Sequence, residues 1–440
     1  MDYLPHTLED IEKALRTVGV RDVEDLFSDI PKALSNPEIN LPSGMDEDSL
    51  LRHLKELQNQ NRTDQPCFLG GGIRHHFLPS VTQQLASKPE FLTAYTAYQP
   101  EVSQGLLQAT FEYQTMMSEL TGLPISNASM YDGATATAEA ALLAARATNR
   151  SKVLVSRGIH PETLEVLKTY LTPLKISLEV FELDGLTSSI PIVDKDTACV
   201  IAQNPNFLGY LESVPNLVEA SHKMGALYVA VSDPVALGIL KPPGSQGADI
   251  VTGDGQTLGN PVIFGGPSFG FLLVSERLVR QMPGRVVGET VDTEGQRGFV
   301  LTLQAREQHI RRGKAKSNIC SNHQLTALMA TINLAALGPQ GLQEIAEQSV
   351  LAAHELADKL SRVGITVRQE STFFNEFLIE TETSPLKLRQ EFSLRGISAG
   401  IPVPQTFNFG NASILAATEL TTKEDIDALL KAITEIELSK

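Results

Sequence analysis

The run LYVAVSDPVALGILKPPGSQGADIVTGDGQTLGNP, residues 227–261, holds two short apolar segments that each break off into a polar turn. Leu227–Val231 runs into Ser232-Asp233-Pro234, and Asp249–Val251 runs into Gly253-Asp254-Gly255. Apolar runs of this length, closed by Gly, Pro, Asp or Ser, read as buried strands. Working outward, similar runs occur at Lys152–Val155, Ile176–Leu183, Cys199–Ala202 and Gly270–Val274. Helical periodicity fills the intervals at Ala134–Asn149, Pro161–Leu171 and Leu211–Met224. Alternation of strand and helix at this spacing predicts an α/β fold: a mostly parallel sheet flanked by helices. In such sheets ligands gather where the strands run out into turns.

The flanks have other textures. Thr7 precedes Leu8, Ile11, Leu15 and Val18 at helical spacing, and Asp46, Glu47 and Asp48 precede Leu50, Leu51, Leu54 and Leu57. Acids favour a first helical turn, whose N–H groups are unpaired, so two helices are predicted there. Residues 1–67 are therefore read as a helical N-terminal arm and 68–315 as the large α/β domain. In 316–440, helices at 323–337 and 341–362 lead to strands near 365–370 and 374–380, a helix at 385–394, a strand at 413–418 and a helix at 423–436. These predict a smaller C-terminal α+β domain.

Composition excludes several function classes. Lys and Arg total 36 against 52 acids, a net charge of −16, the wrong sign for a protein that displaces counterions from nucleic acid. No uninterrupted apolar stretch reaches the about 18 residues of a membrane span, and the N-terminus lacks a signal-peptide pattern, so a cytoplasmic location is expected. Cys67, Cys199 and Cys320 are too few and too far apart for a disulfide framework or a zinc site. The nine histidines include no HxxxH or HExxH pairing, and no metal is expected.

Four positions could carry chemistry at the strand ends. Thr135, in Asp132-Gly133-Ala134-Thr135, opens a helix of small residues, where N–H groups hold phosphates; the plainer reading is an ordinary helix cap. His160 follows the strand Lys152–Val155, where pyridoxal-phosphate enzymes set a flat residue against the cofactor ring; the plainer reading is a helix-start histidine. Asp233 stands where such enzymes pair a carboxylate with the ring nitrogen, although an aspartate before proline is also a common turn. Gln256 follows by about two dozen residues, ahead of the turn Phe264-Gly265-Gly266-Pro267, in the position of the cofactor-binding lysine. Glutamine has no amine and cannot form an imine, so that covalent chemistry is lost. Tyr95, Tyr98, Gln99 and Glu101 form a further polar cluster before a long helical pattern. Phe68-Leu69-Gly70-Gly71-Gly72-Ile73-Arg74-His75-His76 joins a glycine run to polar side chains. Arg311-Arg312-Gly313-Lys314-Ala315-Lys316 is a basic run, read as a solvated face or a contact for an acidic group.

Together these segments resemble the glycine cleavage system P-protein, glycine decarboxylase, in its two-subunit form, as the subunit 1 type. The resemblance is carried by Tyr3-Leu4-Pro5-His6-Thr7, Tyr95–Thr121, Asn127–Ala141, Gln203-Asn204-Pro205-Asn206-Phe207, Leu237–Pro261 and Arg306–Cys320. It implies a fold-type-I pyridoxal-phosphate transferase architecture. It also implies a second subunit that binds pyridoxal phosphate through its own lysine, with two copies of each subunit. That assembly would decarboxylate glycine and pass the aminomethyl group to the lipoyl arm of the H-protein. On this reading Thr135, His160, Asp233 and Gln256 form a degenerate slot without cofactor, and Tyr95, Tyr98, Gln99 and Glu101 line the partner's site. Two rival readings are a stand-alone pyridoxal-phosphate enzyme using another lysine, against which Gln256 argues, and a scaffold that kept the fold and lost the chemistry.

Overall fold

The computed structural model describes residues 6–35, 37–38, 40–263, 265–266, 268–319 and 322–438. The opening Tyr3-Leu4-Pro5, the turn residues Phe264 and Pro267, and Cys320 lie outside the described residues. Contacts divide the chain into two units, Met1–Asp64 and Gln65–Lys440.

In the first unit, Thr7 caps the helix Leu8–Val18 in a reciprocal capping box with Asp10. Asp46 caps Glu47–Gln58 by accepting the Ser49 N–H. Neither helix buries a residue.

The second unit is built on a seven-stranded sheet. Its strands are β1 (Ile125–Ser126), β2 (Lys152–Ser156), β3 (Ser177–Phe181), β4 (Thr197–Asn204), β5 (Leu227–Ser232), β6 (Ile250–Asp254) and β7 (Gly270–Val274). Their order across the sheet is β1-β7-β6-β5-β4-β2-β3. β2 to β6 run parallel, and β7 lies antiparallel to both neighbours. Alternate side chains point to opposite faces. Val153, Val155, Cys199, Ile201 and Val229 enter one core, with the helices Gly133–Thr148 and Pro161–Leu171. Leu154, Val200, Ala202, Tyr228 and Ala230 enter the other, with Gln104–Thr121 and Val214–Lys223. Each fully buried Val or Leu contributes about 1.5–3 kcal/mol, so alternation on both faces specifies the register.

Three local features differ from what the sequence predicts. The strand expected over Ile176–Leu183 stops at Phe181, and Leu183–Asp184 pairs instead with Thr187–Ser188 around Gly185, whose φ is +64°. The helix expected from Leu211 starts at Val214. The hairpin of Val286–Val291 and Arg297–Thr302 was not anticipated.

The helix Gln324–Arg362 kinks at Gly338-Pro339. It is long and apolar enough to cross a bilayer by length and composition. Its first half nevertheless packs Ala327 and Ala330 into a sheet core, and its second half packs Ala353 and Leu356 into the C-terminal core. That core includes Phe377, Ile379, Ile414, Leu429 and Ile433, from a four-stranded antiparallel sheet and the helix Lys423–Leu438.

Candidate functional site

The carboxyl ends of β2, β5 and β6 deliver His160, Asp233 and Gln256 respectively, and the glycine run ahead of Arg74 joins them. Arg74, 6% exposed, ion-pairs through Nη2 with Asp233 Oδ2 and donates from Nη1 to Glu376 Oε2 at 2.7 Å. Its backbone N–H donates to Gln256 Oε1 at 3.4 Å. Glu376 Oε1 also accepts the Gly71 N–H at 2.6 Å. A Cβ on Gly70 would stand 2.0 Å from Glu376 Oε1, so only glycine lets the chain pass this carboxylate.

His160 caps a helix and reaches the glycine run. Its Nδ1 accepts the Glu162 N–H at 3.2 Å, capping the helix Pro161–Leu171. Its Nε2 lies 2.8 Å from the Gly71 carbonyl oxygen, which makes Nε2 the protonated nitrogen. Asp233 likewise accepts the Val235 N–H at 2.9 Å through Oδ1, as a turn residue does, while Oδ2 faces Arg74. Gln256 spends both ends of its amide: besides Arg74, its Nε2 donates to the Asn260 carbonyl at 2.8 Å.

At the helix Gly133–Thr148, two carboxylates sit where an anion would bind. Asp132 Oδ1 accepts the Thr135 N–H at 2.7 Å, and the Thr135 hydroxyl turns back to Asp132. Asp254 Oδ2 accepts the Gly133 N–H at 3.1 Å. Burial pushes the Asp254 carboxyl above its usual range, against the donors Ser268, Gln256 N–H and Gly133 N–H. A Cβ on Gly133 would lie 2.8 Å from Asp254 N, so glycine is what permits this approach.

These donors do not fit pyridoxal phosphate as arranged. Set against the slot expected from the sequence, Gln256 offers an amide and no amine, Asp233 is ion-paired to Arg74, and the helix N–H groups of Gly133 and Thr135 are taken by carboxylates.

The tyrosine segment forms a second cluster. Arg285, buried, donates from Nη2 to the Tyr98 hydroxyl at 2.7 Å and from Nη1 to Thr96 Oγ1 at 3.2 Å. Its guanidinium also lies over the Tyr98 ring, 5.1 Å from the centroid. Glu307 Oε2 stands 3.8 Å from Arg285 Nε and 3.5 Å from His309 Nδ1. Tyr95 is 73% and Tyr98 48% exposed, and Gln99 and Glu101 are exposed. Most of the basic run at 311–316 is exposed.

Glu376, Asp254, Arg285 and Glu307 were not singled out from the sequence. For Glu376 a weak signal existed: it opens the strand Glu376–Glu380 just ahead of the apolar run Phe377-Leu378-Ile379. Among the described residues no cluster of metal-ligating side chains occurs.

Comparison with known proteins agrees in scale with this architecture. The chain is 48% identical over 440 residues to the probable glycine dehydrogenase (decarboxylating) subunit 1 of Moorella thermoacetica, covering 98% of this chain and 99% of that one. It superposes with a TM-score of 0.93 and 54% identity on a crystal structure of glycine decarboxylase, the P-protein of the glycine cleavage system, in inhibitor-bound form; the match covers 99% of this chain and 100% of that one. A C-DES variant with glycine covalently linked to its PLP cofactor is 13% identical, with a TM-score of 0.61 over 85% of this chain and 97% of its own. That distant likeness identifies the fold, the fold-type-I architecture of pyridoxal-phosphate enzymes. The family description "Glycine cleavage system P-protein" matches residues 1–433, and the chain belongs to that family.

Proposed function

We propose that this chain is subunit 1 of a two-subunit glycine dehydrogenase (decarboxylating), and that it completes an active site whose cofactor is held by its companion. The observation that carries this reading is Gln256: the imine position holds an amide whose oxygen and nitrogen are both engaged by the backbone. The companion, subunit 2, supplies the lysine and binds pyridoxal phosphate, which provides the electron sink for loss of CO2 from glycine. The aminomethyl group then passes to the lipoyl arm of the H-protein. Two copies of each subunit make up the cytoplasmic assembly.

In this division of labour the chain's own residues position and enclose. Buried Arg285 holds Thr96 and Tyr98 from beneath. This leaves Tyr95, Gln99 and Glu101 directed outward, as residues reaching a neighbouring subunit's pocket must be. We assign Tyr95, Tyr98, Gln99 and Glu101 to the interface that lines the glycine pocket or the path of the lipoyl arm.

The test is glycine–bicarbonate carbon exchange with lipoylated H-protein and pyridoxal phosphate, with and without subunit 2. Exchange is expected only when both subunits are present. Exchange by this chain alone would place the chemistry on another lysine and overturn the reading.

A further inference from the structure

The residues around Arg74 do more than lack a lysine. Each of the three attachments of a pyridoxal phosphate in this fold is met here by a group of the protein itself. A ring nitrogen, when protonated, pairs as a cation with the strand-end aspartate; here Arg74 occupies Asp233. A phosphate takes N–H groups at the start of a helix; here Asp254 accepts from Gly133 and Asp132 from Thr135. The aldehyde carbon reaches a lysine; here Gln256 is tied to Arg74 N and Asn260 O.

We infer that the slot is filled by the protein's own charges, Arg74 substituting for the ring cation and Asp254 with Asp132 for the phosphate. A lysine placed at position 256 is therefore not enough to restore cofactor binding. The inference rests on the reading that this chain does not itself carry the cofactor, and it explains what keeps the slot closed.

Three features support it beyond the contacts themselves. The Arg74 and Asp233 side chains are both largely buried, so little water competes for either charge of the pair. Arg74 is gripped from the other side by Glu376, on a strand of the C-terminal sheet, so displacing it also breaks a tie between that sheet and β5. The loop carrying it is fixed as well, by Gly71 N–H on Glu376 and Gly71 O on His160. One cation against two buried carboxylates is an arrangement in which removing the cation alone is costly. The variant that opens the slot must therefore remove a carboxylate with it.

The experiment compares two forms of the full chain, alone and co-expressed with the companion subunit. One carries Gln256→Lys; the other combines Gln256→Lys with Arg74→Met, Glu376→Gln and Asp254→Asn. Each is incubated with pyridoxal phosphate, so that the new Nζ can condense with the aldehyde and release water. Borohydride then reduces the C=N bond to a stable amine, and peptide mass mapping reads position 256 separately from the companion's lysine.

Little label is expected at 256 in the single variant and at least about tenfold more in the combined one, the ratio given by about 1.4 kcal/mol of relieved competition. Full labelling of Gln256→Lys alone overturns the inference. So does equal, weak labelling of both forms when circular dichroism shows both folded. Hydrogen exchange on the native chain supplies a readout that needs no variant. The peptide 70–76 is expected to be protected and unchanged by pyridoxal phosphate, and protection gained there and at 133–136 on adding it would equally refute self-filling. None of these readouts depends on glycine exchange, so a failure of the functional reading is seen separately.

Discussion

Glu419 draws three donors to one buried carboxylate. His76 Nδ1 lies 2.8 Å from Oε2, Ser349 Oγ donates to the same oxygen at 3.0 Å, and the Phe77 N–H donates to Oε1 at 2.5 Å. Burial by itself pushes the carboxyl up; the hydrogen bond and charge of His76 and the Phe77 N–H outweigh it and hold the group below its ordinary value. A folded value below the unfolded one stabilises the protein fully above the unfolded value, near about 4.3, and this is lost as the pH falls through the folded value. Glu419→Gln should thus cost most stability near neutrality. Its deficit in unfolding free energy should shrink as the pH is lowered from about 6 to about 3; a deficit constant over that range would contradict the assignment. Tyr98 and Glu101 separate a structural from an interfacial role. Tyr98→Phe leaves a buried Arg285 N–H without its acceptor and should cost about 1–3 kcal/mol in the isolated chain. Glu101→Gln, on an exposed side chain, should leave the chain's stability unchanged and lower turnover only in the assembled enzyme. Unchanged turnover with both variants would remove the proposal that these residues line the partner's site.

Among the elements, the helix Gln324–Arg362 shows how a local signal survives into the fold. Gly338-Pro339 separates two helical patterns in the sequence, and the structure bends there, with Gly338 at φ +64° and ψ 179°. That region is open almost only to glycine. Gly338→Ala should cost about 1–3 kcal/mol in urea unfolding, although no neighbouring atom lies within 4 Å of the added Cβ. A loss near zero would mean that the kink relaxes freely. The hairpin Val286–Thr302 shows the opposite case. Gly288 and Gly298 interrupt its strands and acids stud its outer half, so no clean alternation marks it. It is held by contacts from distant sequence: Gln114, on the helix Gln104–Thr121, exchanges hydrogen bonds with Val287.

For the whole molecule, each hydrophobic core begins at or after Phe68. Among the described residues, none of Met1–Asp64 belongs to a core, and its two longer helices bury nothing. A chain lacking residues 1–64 is therefore expected to keep the denaturation midpoint of the body, measured by tryptophan-independent far-ultraviolet circular dichroism. A loss of unfolding free energy of more than about 1 kcal/mol, a large fraction of a domain's net stability, would contradict this expectation.

The strand–helix alternation, the ends of β2, β5 and β6 and the glutamine at 256 were all legible in the sequence, because each depends on residues close together in the chain. Period-two burial selects strands, small residues admit a helix start against a strand end, and the chemistry of an amide is read from one letter. What surrounds Asp233 and Gln256 was not legible. Arg74 meets Glu376 across 302 residues of sequence and Asp233 across 159, and an ion pair leaves no local periodicity to mark it. The same holds for Arg285 beneath Tyr98, 187 residues away. Which charge neutralises which is settled only when distant segments are brought together and water is removed from between them.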